Sequence, residues 1–217
     1  MLAFMSYQTD DRAIAARVSD LLGKIEIRSF MAHQDIEVSV EWRAEILRQL
    51  GLADLFIPIL STKYYSSIWC KQESGIAAFR DMTIIPLSTD GTIPQGFLNH
   101  IQSTKIDPEA PTYQNLFPGI ANHDVSFLID GITKIISTSR NYRTAESNFA
   151  LILPYINEAR NGQVAELLRV SAKNDQVCNA DLCARTYLPP LFASHGHLLD
   201  ALTRKELSDT LDRYKIK

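Results

Sequence analysis

Trp69 and Glu73 stand four residues apart in the run Trp69-Cys70-Lys71-Gln72-Glu73, so they project from one face if that run is helical. An indole beside a carboxylate near a helix start offers a ring-stacking surface and an anion. The same spacing also describes a core tryptophan and a solvated glutamate, the commoner fates of either residue taken singly. Ser6, Tyr7 and Gln8 leave a first apolar run, at the kind of strand end where open parallel sheets place their ligands. Cys70 reads as a small buried filler rather than a reactive thiol. Trp42 reads as the packing anchor of its own helix, and Phe4 as a core strand residue.

Other chemistries lack their parts. The sequence holds no GxxxxGK[ST] phosphate cradle, no GxGxxG turn, no HExxH metal helix and no GxSxG nucleophile elbow. Asp10-Asp11 would suit the acidic pocket of a phospho-receiver domain, but the end of the third strand reads Leu60-Ser61-Thr62-Lys63, without the acceptor aspartate. Cys178, Cys183, His195 and His197 match no standard zinc spacing, so no metal site is expected. Lys+Arg 22 against Asp+Glu 25 leaves a net charge of −3, and the basic residues of the C-terminal part are interspersed with acids. Neither nucleic acid nor a membrane surface is therefore an expected partner. The 3 cysteines form no CxxC pair, no apolar run nears the roughly 20 residues of a membrane span, and Met1 to Tyr7 has no signal-peptide character. These features point to a cytoplasmic protein with free thiols.

The elements that must position the candidate residues alternate between strand and helix patterns. Leu2 to Met5 reads as a buried strand, and Asp10 to Leu22 as an amphipathic helix ended by Gly23. Ile25 to Phe30 reads as a second strand, a polar stretch from Met31 to Glu41 as a loop, and Trp42, Ile46 and Leu50 as one helical face. Asp54 to Leu60 is continuously apolar, as a central parallel strand is, with Pro58 expected near its end. Ser66 or Ser67 can cap a helix from Ile68 to about Phe79. Thr83 to Leu87 and Ile101 to Ile106 are shorter strand candidates, and Asp124 to Thr138 is one more amphipathic helix. Beyond Ser139 no strand pattern recurs. The expected organisation is an α/β domain over 1–138 and an all-helical extension over 139–217.

Five blocks in this order carry a resemblance. They are Phe4-Met5-Ser6-Tyr7; Phe30-Met31-Ala32-His33-Gln34-Asp35-Ile36; Trp42-Arg43-Ala44-Glu45-Ile46; Ala53 to Ser61; and Tyr64-Tyr65-Ser66-Ser67-Ile68-Trp69-Cys70-Lys71-Gln72-Glu73. Together they resemble a Toll/interleukin-1 receptor (TIR) domain of the bacterial type, over roughly 1–138. One departure is the loop after the second strand, which reads Glu37-Val38-Ser39-Val40 where the family often carries a glycine.

The resemblance implies a flavodoxin-like parallel sheet flanked by helices and, in the enzymatic branch, cleavage of the nicotinamide–ribose bond of NAD as substrate, with no further cofactor. It maps the catalytic acid onto Glu73. It assigns the pocket to Trp69, to Phe4, Ser6, Tyr7 and Gln8 from the first strand, and to Ala32 and His33 from the second. Nicotinamide leaves a pyridinium as a neutral molecule, so a carboxylate beside the cationic sugar is the group this reaction needs. Water as acceptor gives ADP-ribose, and an internal acceptor gives a cyclic ADP-ribose. A TIR domain with a short helical tail resembles the signal-making partner of an antiphage system such as Thoeris, acting on a separate effector protein. Homo-oligomers through TIR–TIR contacts are expected. The alternative is a non-catalytic adaptor working through such contacts, centred on the loop 32–40.

Overall fold

The structure is a computed structural model that describes residues 1–31 and 41–215. The chain divides into two compact units, 1–123 and 124–217. The division falls within the helical segment α4 (Phe117–Ser137), which is broken at Asp124, where the backbone turns extended (φ −154°, ψ 94°). The Asp124 carboxylate there accepts a hydrogen bond from the Phe127 N–H at 2.9 Å, an N-cap that starts the helix anew. The expected boundary at 138/139 thus differs from the observed one, because the amphipathic helix after Asp124 belongs to the second unit.

In the first unit, β1 (Leu2–Ser6), β2 (Arg28–Met31), β3 (Leu55–Leu60), β4 (Thr83–Ile84), β5 (Leu87–Ser88) and β6 (Thr104–Lys105) form one parallel sheet. Its order is β2-β1-β3-β5-β6, with β4 also paired to β3. The chain steps outward from β1 to β2, then returns across β1 to β3. Right-handed crossovers therefore put α1 (Arg12–Lys24) on one face, and α2 (Trp42–Leu52) and α3 (Ile68–Phe79) on the other. The register agrees: Phe4 pairs with both Phe30 and Phe56, so the three rings share a face. There they pack with Ile46 and Leu50 of α2 and Ala77 of α3. α1 buries Ile14, Ala15, Val18 and Leu22, the face its periodicity marks, and runs through Gly23 to Lys24.

Pro58 lies inside β3 rather than near its end. The carbonyls of Phe56 and Leu60, on its parity, accept from the N–H groups of Ile85 and Thr89 at 2.9 Å each, so position 58 faces the same neighbour without an N–H to offer. That neighbour is split there into β4 and β5, which explains why the single strand expected over Thr83 to Leu87 is two short ones.

The second unit is helical throughout its described residues. After the Asp124 break come α5 (Tyr142–Ala150), α6 (Asn161–Lys173), α7 (Asp175–Cys178), α8 (Leu188–His195) and α9 (Ala201–Lys215). Phe149, Leu167, Leu168, Val177, Leu188 and Leu207 are buried. Pro189 and Pro190 sit in the first turn of α8, where a missing N–H is tolerated, and the residues before them, Cys183–Tyr187, form a π-helical turn. All three cysteines are free and buried. Among the described residues, no helix is long and apolar enough to cross a membrane, and no group of three or more His, Cys, Asp or Glu side chains could hold a metal ion.

Candidate active site

Ser67 starts α3 as its N-cap, its hydroxyl accepting from the Cys70 N–H at 3.3 Å. The helix turns Cys70, Glu73, Ser74 and Ala77 inward, an i, i+3, i+4, i+7 stripe that carries one carboxylate into an otherwise small and neutral face. Glu73 is only 6% exposed, so the solvated-surface reading does not hold. The carboxylate meets the carboxyl edge of β1, where its Oε2 accepts a hydrogen bond of 2.5 Å from Ser6 Oγ. Ser6 pairs with Pro58 and lies two residues after Phe4, hence on the sheet face that α3 covers.

The contacts continue inward. Ser6 Oγ lies 2.8 Å from the Tyr64 hydroxyl, which lies 3.0 Å from Ser74 Oγ and donates a long bond of 3.4 Å to the Cys70 carbonyl. Tyr64 is fully buried. Loss of water raises the Glu73 carboxyl from the ordinary carboxylate range to about 7, and the Ser6 hydrogen bond, which favours the anion, offsets only part of this. Burial likewise pushes the Tyr64 phenol well above its usual value and the Cys70 thiol up to about 11. Cys70 is thus a protonated thiol, in accord with the filler reading.

Glu73 opens onto a cleft of about 910 Å³ between α2 and α3, within the range of small-molecule sites. Arg43, Ile46 and Leu47 line it from α2, and Trp69, Gln72, Gly75, Ile76 and Phe79 from α3, with Phe97 beyond. Trp69 is 43% exposed, so its indole is offered to the cleft and not spent in the core. Gly75 is bare floor, since a side chain built there would meet no atom within 4 Å.

The other expected residues fall elsewhere. Phe4 is a core residue, fully buried with its ring centroid 5.3 Å from that of Phe30 and 6.0 Å from that of Phe56. Gln8 is used locally, its side-chain oxygen accepting from the Asp10 N–H at 2.7 Å to cap a short 3-10 turn. Tyr7 is buried at the strand end. Trp42 packs against the core cluster, as its packing reading expects. Ala32, His33 and the loop 32–40 lie outside the described residues. The structure adds Tyr64, Ser74 and Gly75, to which the sequence reading gives no role. Only the tyrosine- and serine-rich block before Trp69 hinted at hydroxyl chemistry.

A parallel sheet whose order reverses beside β1, with a carboxylate-bearing cleft at that reversal, defines a doubly wound α/β domain with its ligand site at the carboxyl edge. Residues 3–117 match the family described as the TIR domain, and the chain belongs to that family. Among solved structures, it is similar to the TIR domain of the Toll-related receptor TRR-2 from the lower metazoan Hydra magnipapillata. That match has 20% identity and a TM-score of 0.48, covering 55% of this chain and 98% of the other. No curated protein matches the chain.

Proposed function

We propose that this chain is a TIR-domain NADase. It cleaves the nicotinamide–ribose bond of NAD to give nicotinamide with ADP-ribose or a cyclic ADP-ribose signal, in bacterial antiphage defence of the Thoeris kind. The observation that carries this reading is Glu73, a carboxylate withdrawn from water beside Ser6 and facing a cleft that also holds Trp69. A protein-docking module has no use for a buried acid that costs stability. Membership of a family that includes NAD-cleaving enzymes supports the same reading.

The chemistry follows from the charges. Trp69 offers its face to the pyridinium, a stacking and cation–π contact. The positive ring brought beside Glu73 lowers the acid's proton affinity, so substrate binding itself ionises the carboxylate. As the C–N bond lengthens, positive charge moves from ring to ribose and nicotinamide departs neutral. A carboxylate held in a poorly solvated site then stabilises the oxocarbenium-like sugar more than it did the ground state. Incubation with NAD at high protein concentration should release nicotinamide and a nucleotide identifiable by chromatography, and Glu73→Gln should lower the rate at least a hundredfold. A wild type that releases no nicotinamide under those conditions overturns the reading.

One observation favours the adaptor as a second reading. Phe79 is 91% exposed and Phe97 77% exposed at the rim of the cleft, an apolar surface suited to another protein. An NAD-inert protein that still self-associates, and loses association when these residues become acidic, would be an adaptor.

A further inference from the structure

Glu73 and Ser74 are neighbours in sequence that line different cavities. Glu73 lines the large cleft, whereas Ser74 lines an adjoining hollow of about 270 Å³ that shares Gly75 and Phe97 with the cleft and is bordered on its own side by Tyr65, Lys71 and Gln95. Between the two runs an unbroken chain of oxygens: Glu73 Oε2 to Ser6 Oγ at 2.5 Å, Ser6 Oγ to Tyr64 Oη at 2.8 Å, and Tyr64 Oη to Ser74 Oγ at 3.0 Å. Each hydroxyl carries one proton and can donate in either direction. With Glu73 ionised, all three can donate toward the carboxylate, the Tyr64 proton swinging from its long bond to the Cys70 carbonyl onto Ser6 Oγ. With Glu73 protonated, the same oxygens serve with every bond reversed.

We propose that Ser6, Tyr64 and Ser74 form a proton relay that carries the proton released by the reaction from Glu73 to the second cavity. The proposal rests on the NAD-cleaving reading and gives that site an exit. The balance requires one. When the C–N bond breaks, its electron pair leaves with nicotinamide. When water or a ribose hydroxyl forms the new C–O bond, one proton is left over. Glu73 is the base at hand, but the ligand covers the cleft and the carboxylate has almost no surface of its own. The proton therefore moves inward: Glu73 gives it to Ser6 Oγ as Ser6 passes its own to Tyr64 and Tyr64 passes its own to Ser74. Ser74 releases a proton to water in the second cavity. No phenolate forms, since each oxygen gains a proton as it loses one, and rotation of the hydroxyls resets the chain.

The relay serves only reactions that release a proton. Returning labelled nicotinamide to the same ribose carbon releases none, so exchange into NAD is the internal control. Ser74→Ala should lower the ratio of proton-releasing cleavage to nicotinamide exchange about tenfold with KM for NAD little changed, and Ser74→Thr should restore it. Tyr64→Phe, which removes the middle hydroxyl at nearly constant volume, should shift the ratio the same way. A Ser74→Ala protein whose cleavage and exchange fall in step, or do not change, while the wild type is active overturns the relay and leaves the NAD reading standing. A wild type with neither reaction overturns both.

Discussion

Glu73 is a charge held at the expense of the fold's own stability. Its carboxyl is raised from 4.5 to about 7 by burial, so the folded state binds a proton more tightly than the unfolded chain does. Between those two values the native protein is protonated and the unfolded chain is not, and stability falls as pH rises. The loss is complete about a unit above the folded value of about 7 and amounts to at most about 3–4 kcal/mol, since each pKa unit is worth about 1.4 kcal/mol. Glu73→Gln keeps an acceptor for Ser6 and removes the charge. It should therefore raise the melting temperature at pH 8 and have little effect at pH 5; equal melting temperatures at pH 8 would show the carboxylate to be better solvated than its burial implies. The same displacement sets the acid limb of the reaction. Log kcat/KM for NAD should rise with pH up to about 7 and then level off, while the limb in kcat lies lower because the bound pyridinium favours the anion. A pH–rate profile checks both limbs. The spacing of Trp69 and Glu73 gives only their shared helical face; it is the family resemblance that singles Glu73 out as the acid, since spacing alone fits a solvated glutamate as well. The roles of Tyr64 and Ser74 are not legible, because what ties their hydroxyls to Glu73 is Ser6 of β1, far away in sequence.

At the scale of elements, legibility followed whether the cause was local. The bounds of α3 match the expected Ile68 to Phe79, since both the Ser67 cap and the apolar periodicity are written in adjacent residues. The strands beside β3 differ from expectation, because Pro58 faces them without an N–H and divides the run Thr83 to Leu87 between β4 and β5. α3 also carries a local choice that helix propensity opposes. Gly75 lies inside the helix with space for a side chain, so nothing within the fold demands a glycine there. Gly75→Ala should stabilise the protein by about 0.5–1 kcal/mol, read as a rise in melting temperature. If the bare backbone serves the ligand, the same methyl standing on the cleft floor should raise KM for NAD. A stabilised variant with unchanged KM would mean that the dinucleotide does not cross α3 at this position.

For the whole molecule, alternation of strand and helix was enough to identify a parallel α/β domain followed by helices, because that pattern leaves few chain paths open. The unit boundary was harder to place, since the helix after Asp124 is amphipathic and continues a helical pattern across the break; only the capping aspartate marks the point. Pattern also says little about apolar residues that a folded chain leaves uncovered. Phe79 and Phe97 stand almost wholly in solvent beside the cleft, and Ile68 at the start of α3 joins them. TIR domains commonly self-associate, and an apolar rim around a site gains most from being covered by a second copy. The mean mass measured by sedimentation should therefore increase with protein concentration, and nicotinamide release per mole of protein should increase with it. Phe79→Asp with Phe97→Asp, changes at two largely exposed rings outside the core, should hold the protein at monomer mass. A wild type of monomer mass and constant specific activity across that range would mean that one chain suffices, leaving the exposed rings as part of the ligand's own surface.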